Sequence, residues 1–327
     1  MRVAIDVSPL VQTRAGTARY LKGLMRELQR RDDVVVSTRS FGGRNRFSTL
    51  ARDGVWYPFL LGRESAADVL HCPTYRGPFR SRLPLVVTVH DLAVLRHPDA
   101  FNRWTRTYSP RVVPGVLRAA RRVIAVSQFT RRELVELLGV PDEKIRVVPN
   151  AVGDEFTREG PAESGDYVLA VGTLEPRKNL DRLVEAVRRT ERELRIVGAR
   201  GWGGVDIRGG NGVRWLGEVD DAELARLYRG AACVAYPSLY EGFGIPVLEA
   251  MACGAPVVTT RGTAMEEVAD GAAVLVDALD PAEIAAGIER ATTERDALVA
   301  RGLERARAFR WDDVAAATVE VYREAVS

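Results

Sequence analysis

Cys233-Val-Ala-Tyr-Pro-Ser-Leu-Tyr-Glu-Gly-Phe-Gly-Ile-Pro-Val-Leu-Glu249, continuing as Ala-Met-Ala-Cys-Gly-Ala-Pro256, puts a strand, a glycine-bearing turn and a helix start into one run. Cys233–Tyr236 reads as the strand. Pro246 suits a first helical position, where its fixed φ fits and its missing N–H would have had no partner. Gly242 and Gly244 let backbone amides approach a ligand, and a helix N-terminus favours an anion in front of it. Glu241 then stands at the rim of the turn and Glu249 about one turn inside the helix, a carboxylate placed to grip a pair of sugar hydroxyls. Taken residue by residue, glycine, proline and glutamate here also fit a simple cap and tight connection.

Outward from this run, short apolar segments alternate with amphipathic helical patterns along the whole chain. Arg2–Val7, Val34–Thr38, Val69–His71, Leu85–His90, Val123–Ser127 and Ile145–Pro149 read as strands, with helices at Thr17–Arg30, roughly Phe101–Arg121 and Thr130–Leu138. The pattern restarts with strands Tyr167–Val171, Leu194–Val197, Val213–Leu216, Cys233–Tyr236, Pro256–Thr259 and Ala273–Val276. Helices are expected at Leu180–Arg189, Asp221–Arg229, Val247–Ala252 and Ala282–Ala308, and a last one at Trp311–Val326. Strands without polar alternation, interleaved with helices, indicate parallel sheets covered on both faces. The aperiodic, charged stretch Asn150–Asp166 is the linker candidate. The expected organisation is α/β, with two Rossmann-like parallel-sheet domains facing across a cleft. Residues 1–155 form the N-terminal domain, 156–308 the C-terminal one, and 309–327 the closing helix. In such sheets ligands bind beyond the carboxyl ends of the strands.

A chain of 327 residues can bury a substantial core and favours about two domains. Its hydrophobic content of 46% and charged content of 28% are those of an ordinary globular protein. No stretch approaches the roughly 18 uncharged apolar residues that span a bilayer. Met-Arg-Val-Ala-Ile-Asp-Val reads as a strand, not as a signal peptide. Cys72, Cys233 and Cys253 lie in or beside apolar runs without metal-ligand spacing, so they read as buried free thiols suited to the cytoplasm. The net charge of +3 conceals an asymmetry: residues 1–150 balance at +13 and residues 151–327 at −10. A basic half implies an anionic partner or simply an arginine-rich surface. With no nucleic-acid motif present, an anionic membrane surface or a phosphate-bearing lipid is the partner expected over a nucleic acid.

Val171-Gly-Thr-Leu-Glu-Pro-Arg-Lys-Asn-Leu180 sets Arg177 and Lys178 between a strand and a helix start, the end that disfavours cations. A phosphate held between them would account for that placement, Arg in bidentate fashion and Lys as a point charge; a solvated basic turn is the alternative. Val213–Tyr228 reads as strand, loop and helix, capped by Asp220 or Asp221.

Glu241–Glu249 closely resembles the glutamate–seven residues–glutamate motif of retaining glycosyltransferases of family four, which have the GT-B fold. The resemblance implies that Glu241 faces the donor sugar and Glu249 holds the donor ribose. Gly172-Thr-Leu-Glu-Pro-Arg-Lys-Asn179 is similar to the family's donor loop, in which the Arg/Lys pair neutralises the donor diphosphate. By the same resemblance Gly242, Phe243, Gly244, Ile245 and Val247 are donor contacts, as is Gly172, and the Gly217–Val219 loop lies beside the base through its backbone. His90, ending Thr88-Val-His-Asp-Leu92, matches the family's strand-end histidine beside the transferred sugar; His71 has a weaker case. The loop Ser8–Ala15, with Gly16 and Thr17 as hinge and N-cap, is expected to close over the donor phosphates. Ser127 and Asn150 match recurring positions, an N-cap and the interdomain edge. The last helix is expected to cross back onto the first domain.

No Gly-x-Gly-x-x-Gly follows an early strand, which counts against a nicotinamide or flavin enzyme. Nor is there an Asp-x-Asp pair or a His/Cys cluster suited to a metal. The expected function is metal-independent hexosyl transfer with retention and no cofactor, catalysed by His90, Glu241, Arg177 and Lys178. Ile5-Asp-Val-Ser-Pro-Leu10 and Leu70-His-Cys-Pro73 look most like mannosyltransferase-type members, favouring GDP-mannose with UDP-hexoses next. Phe41–Phe47 and Tyr75–Arg82 would select a glycan or polyprenyl-linked acceptor. A sugar-nucleotide epimerase or phosphorylase of this fold, and a catalytically silent GT-B partner, are the alternatives.

Overall fold

The computed structural model describes residues 1–12, 16–43, 45–101, 103–201 and 212–327. Residues 13–15 of the expected closing loop, Arg44 of the Phe41–Phe47 loop and Asn102 of the Phe101–Arg121 helix lie outside them. The chain divides into two compact units, one of Met1–Arg96, Asn102–Ala151 and Arg310–Ser327, the other of His97–Phe101 and Val152–Phe309.

The first unit contains β1 (Arg2–Asp6), β2 (Val35–Arg39), β3 (Val69–Cys72), β4 (Leu85–Val89), β5 (Arg122–Ala125) and β6 (Ile145–Val147). They pair in parallel in the order β2-β1-β3-β4-β5-β6. β3 and β4 are buried along their whole length, which is why their sequences show no alternation. In β4, Leu85, Val87 and Val89 enter one core cluster and Val86 the other, on the opposite face. The helices are α1 (Ser8–Gln12), α2 (Gly16–Gln29), α3 (Arg46–Ala51), α4 (Ala93–Arg96), α5 (Arg103–Ala119) and α6 (Gln128–Leu138). Ser127 caps α6 by accepting from the Thr130 amide at 3.0 Å, and Gly139 ends it in the left-handed region at φ 59°.

The C-terminal helix, Trp311–Val326, belongs to this first unit, as the resemblance implied. Trp311 lies flush on α2 at Gly23, where an added Cβ would come within 2.3 Å of the indole. Tyr322 OH bonds His71 Nδ1 at 2.7 Å, and Glu324 pairs with Arg122 and Arg146 at 3.0 and 2.8 Å.

Two readings in this unit are corrected. The Ser8–Ala15 stretch is not all loop, since α1 occupies Ser8–Gln12, anchored by Asp6 Oδ1, which accepts from the Ser8 amide at 3.0 Å. Thr17 is not an N-cap, because α2 already begins at Gly16. The structure also winds Arg52–Leu60 as a wide π-helical segment directly after α3, with no apolar period in the sequence to announce it.

The second unit contains β7 (Tyr167–Val171), β8 (Glu193–Val197), β9 (Val213–Gly217), β10 (Cys233–Tyr236), β11 (Val257–Thr260) and β12 (Val274–Val276). The order is β12-β11-β10-β7-β8-β9. Its helices are α7 (Leu180–Val187), α8 (Asp221–Gly230), α9 (Ile245–Ala252), α10 (Ala264–Ala269), α11 (Pro281–Thr293) and α12 (Arg295–Ala306). Asp220, rather than Asp221, caps α8 by accepting from the Glu223 amide at 2.8 Å. The single helix expected over Ala282–Ala308 is broken at Glu294. There the Thr292 and Thr293 hydroxyls bond back to the Glu289 carbonyl at 2.8 and 2.9 Å and compete with the helical ladder.

The sheet order fixes where a ligand can sit. The chain runs β7-β8-β9 to one edge, then returns to place β10 on the other side of β7. Loops leaving β7 and β10 therefore part in opposite directions and open a crevice between them, the topological switch point of an α/β sheet. Cys72, Cys233 and Cys253 are buried and unbridged. Among the described residues no helix is long and apolar enough to cross a membrane.

Candidate functional site

The crevice holds a compact charge cluster. After β7 the chain passes Gly172, at φ 149°, and turns through a short 3-10 segment, Pro176–Lys178, into α7. Asn179 starts α7 in the left-handed region at φ 59°, a conformation that costs a non-glycine residue about 1 kcal/mol and needs holding in place. Its Nδ2 donates to the Pro237 carbonyl at 3.1 Å and the Ala278 carbonyl at 2.6 Å. Asn179 thereby ties the loops after β7, β10 and β12 together and fixes the two residues before it.

Arg177 and Lys178 converge on Glu241, which follows β10. Arg177 Nη1 lies 2.7 Å from Glu241 Oε2, Lys178 Nζ lies 2.6 Å from Oε1, and Arg177 Nη2 reaches Glu175 at 2.7 Å. Lys178 also donates to Tyr236 OH at 2.5 Å, and Tyr236 OH donates to Glu241 at 3.1 Å. Glu241 is only 8% exposed. Burial opposes its charge, but Arg177 and Lys178 outweigh it and hold the carboxyl at about 2. Burial likewise opposes the charge on Lys178, and Glu241 reverses that and raises its pKa. Burial and the Glu241 charge push the Tyr236 hydroxyl up to about 12. The two cations assigned from sequence to a phosphate are thus neutralised inside the protein by Glu175 and Glu241.

Gly242, Phe243 and Gly244 lead into α9, whose N-cap residue, Gly244, has no side chain to cap it. Gly244 has φ 100°, and a Cβ there would meet Met265 at 2.9 Å, so both the turn and the space call for glycine. Phe243 packs edge-on against Phe309. Ile245 opens α9, Pro246 is its second residue, and the Val247 amide bonds the Gly244 carbonyl at 2.9 Å. A small void of about 10 Å³ is lined by residues that include Val171, Gly172, Lys178, Leu180, Tyr236 and Pro237. Gly217 ends β9, its carbonyl accepting from the Gly198 amide at 2.8 Å, and Val219 follows in the loop before α8.

Glu249 stands apart from this cluster. It is 1% exposed, and its Oε2 accepts from Tyr228 OH on α8 at 3.0 Å.

In the first unit His90 follows β4. Its Nε2 lies 3.0 Å from the Pro73 carbonyl, so that nitrogen carries the proton and Nδ1 is left as an acceptor. Burial lowers the His90 pKa against the Pro73 bond and Asp91, so the imidazole is neutral at pH 7. Tyr20 meets it edge-on at 4.8 Å. His71 is fully buried and structural, held between Thr88 Oγ1 at 2.8 Å and Tyr322 OH at 2.7 Å. Gly16 begins α2 and is exposed. Sequence reasoning assigned no role to Glu175 or Asn179, although both stand in the quoted donor-loop stretch.

Residues 14–156 match glycosyltransferase family 4, and residues 165–294 match the glycosyl transferases group 1 family. The chain is 32% identical over 282 residues to O-antigen chain mannosyltransferase B of Escherichia coli, covering 78% of this chain and 74% of that one. It is 31% identical over 301 residues to an MMP alpha-(1->4)-mannosyltransferase of Mycolicibacterium hassiacum, covering 82% and 73%. In fold it is similar to sucrose-phosphate synthase of Thermosynechococcus elongatus, with TM-score 0.75, 20% identity and 98% of each chain covered. It is similar also to Anabaena HepE, solved in complex with UDP and glucose, with TM-score 0.73, 19% identity and 98% of each chain covered. With both halves matched and both six-stranded parallel sheets in place, the chain belongs to glycosyltransferase family 4, has the GT-B fold, and transfers a sugar from a nucleotide sugar.

Proposed function

We propose that this glycosyltransferase retains anomeric configuration and moves a hexosyl group, mannosyl in preference, from a nucleotide-diphosphate sugar to a glycan or polyprenyl-linked acceptor. GDP-mannose is the favoured donor and a UDP-hexose the next; the mannosyltransferase names of two relatives support that order. Residues 156–308 take the donor and residues 1–155 the acceptor, with the 309–327 helix completing the latter. The reaction needs no metal and no cofactor, and runs at the cytoplasmic face of a membrane.

The observation that carries this reading is the convergence of Arg177 and Lys178 on one buried carboxylate, at the switch point and beside an uncapped helix start. Glu241 acts as a resident counter-ion. A donor diphosphate competes for the two cations, and Glu241, released, accepts hydroxyls of the transferred sugar together with the Phe243–Gly244 backbone. Glu249 takes the ribose in exchange for Tyr228. His90 accepts a sugar hydroxyl at Nδ1. Catalysis is chiefly stabilisation of the leaving diphosphate by fixed charges and amides as the anomeric carbon becomes cationic. The leaving phosphate takes the acceptor's proton on the same face.

A thermal-shift panel of GDP, UDP, ADP and their sugar derivatives identifies the donor, since a ligand that binds the folded state raises its apparent stability. Lys178→Ala should lower transfer by about 10²–10³-fold while the protein stays folded. Near-normal turnover in that variant defeats the assignment.

A further inference from the structure

The first unit buries a line of polar side chains that the proposed chemistry does not use. Thr88 of β4 takes partners from two other elements, His71 Nε2 of β3 at 2.8 Å and Tyr20 OH of α2 at 3.1 Å. His71 Nδ1 meets Tyr322 OH of the closing helix at 2.7 Å. Tyr322, His71, Thr88 and Tyr20 thus form one hydrogen-bonded chain, and all four are 0% exposed.

The Tyr20 end of this chain lies against His90. The two rings stand edge to face, their centroids 4.8 Å apart and their planes at 77°, an arrangement that ring quadrupoles favour. Trp311, the first residue of the closing helix, meets the Tyr20 ring in turn at 6.3 Å. Gly23, one turn along α2 from Tyr20, leaves the indole its place, since an added Cβ would come within 2.3 Å of it. Tyr20 is held at its hydroxyl by Thr88 and along its ring by Trp311.

His90 needs such a neighbour. Its Nε2 bond to the Pro73 carbonyl at 3.0 Å pins one atom of the imidazole, and a ring held by one hydrogen bond still swings about it. A second contact, in a fixed plane, removes that freedom. Packing alone does not call for the polar chain, because apolar side chains would fill this face without desolvating two phenols, an imidazole and a hydroxyl. A fully paired chain adds rigidity of orientation. The residue it reaches, His90, follows β4 at its carboxyl end, where ligands of such sheets bind.

We propose that Tyr20 is a positioning residue for His90. Its ring holds the imidazole in the single orientation that donates to Pro73 from Nε2 and keeps Nδ1 as an acceptor for a hydroxyl of the transferred sugar. The Tyr322–His71–Thr88 chain anchors Tyr20 for that task. The sugar contact rests on the proposed function, whereas the state of the His90 ring is read without any donor.

The experiment is nitrogen-15 NMR of the histidine-labelled full chain, whose three histidines are His71, His90 and His97, with His90→Gln assigning the His90 signals. Wild-type His90 should show one tautomer at pH 7, protonated at Nε2; a ring split between two tautomers overturns the proposal. Tyr20→Leu removes the ring edge and should raise the population of alternative His90 states by about 2- to 12-fold, read by relaxation dispersion. Tyr20→Phe keeps the ring and loses only the bond to Thr88, so it should melt at a lower temperature yet restore the wild-type His90 signals. A Tyr20→Leu protein with an unchanged His90 overturns the proposal, and so does a Tyr20→Phe protein as altered at His90 as Tyr20→Leu. With GDP-mannose as donor, Tyr20→Leu should lose kcat with KM unchanged, and Tyr20→Phe should recover it. Wild-type turnover of GDP-mannose by His90→Gln, with the NMR result intact, would count against the proposed function instead.

Discussion

Glu241→Gln tests the resident counter-ion directly. The substitution keeps the shape of the side chain but removes the charge that Arg177 and Lys178 share at 2.7 and 2.6 Å. Arg177 retains Glu175; Lys178 keeps only the neutral Tyr236 hydroxyl and an amide oxygen. A carboxyl that titrates near 4.5 in the unfolded chain and about 2 in the folded protein contributes about 3 kcal/mol at neutral pH. Breaking a buried ion pair by removing one partner costs a similar amount, about 3–5 kcal/mol. For a unit of this size the expected loss is roughly 6–12 °C in melting temperature at pH 7.

The pH dependence separates this from a generic packing defect. Because the folded value lies below the unfolded one, the stabilisation is fully present above about 4.5 and is lost as pH falls toward 2. The gap between wild type and Glu241→Gln should therefore be constant from pH 7 to pH 5 and close below that. A nucleoside diphosphate, which supplies the missing negative charge, should raise the melting temperature of the variant more than that of the wild type. Scanning fluorimetry across pH, with and without ligand, reads both effects. A variant that melts like wild type at pH 7, or a gap that persists unchanged at pH 3, refutes the counter-ion argument.

Two further outcomes follow from buried groups elsewhere. Burial holds the His71 imidazole at about 3, well below its ordinary 6.5, so the unfolded state gains a proton first and stability should fall as pH drops below about 6.5, by up to about 1.4 kcal/mol per pH unit. His71→Gln should lower stability at pH 7, where it disturbs bonds to Thr88 and Tyr322, yet flatten that acid-side slope; an unchanged slope in denaturant titrations would exclude His71 as its source. Asn179→Ala should lose two buried hydrogen bonds while still holding a Cβ in the left-handed region. Asn179→Gly loses the same bonds but removes the Cβ, so it should be the more stable variant by about 1 kcal/mol, and equal unfolding midpoints would dismiss the strain.

What could be read in the sequence was what local physics determines. β4 and β10 are covered on both faces, so their unbroken apolar runs announce parallel sheets. Ser127 and Asp220 each cap a helix through the amide three residues on. The Arg52–Leu60 segment has no such local signature; Asp53 within it is held by Arg76 and Trp104 from distant parts of the chain. The break at Glu294 went unseen because two threonine hydroxyls, and not a glycine or proline, end α11.

The donor cluster shows where such legibility stops. Arg177 and Lys178 could be recognised as misplaced cations from their own neighbours, and a missing anion inferred from dipole logic alone. That anion is Glu241, 63 residues downstream of Lys178. It becomes a neighbour only because the chain reverses strand order between β9 and β10 and lays β10 beside β7. A motif gives the residue types on each loop but not whether the loops neutralise each other before any ligand arrives. That balance decides the chemistry: an unpaired Arg/Lys site would bind many phosphates, whereas one closed by its own carboxylate favours an anion that can also give the released carboxylate new partners. On the proposed reading a sugar diphosphate does both, its phosphates replacing Glu241 at the two cations and its sugar hydroxyls donating to the released carboxylate. Inorganic pyrophosphate, which lacks the hydroxyls, should accordingly stabilise the wild type less than a nucleotide sugar does, and Glu241→Gln should erase most of that preference.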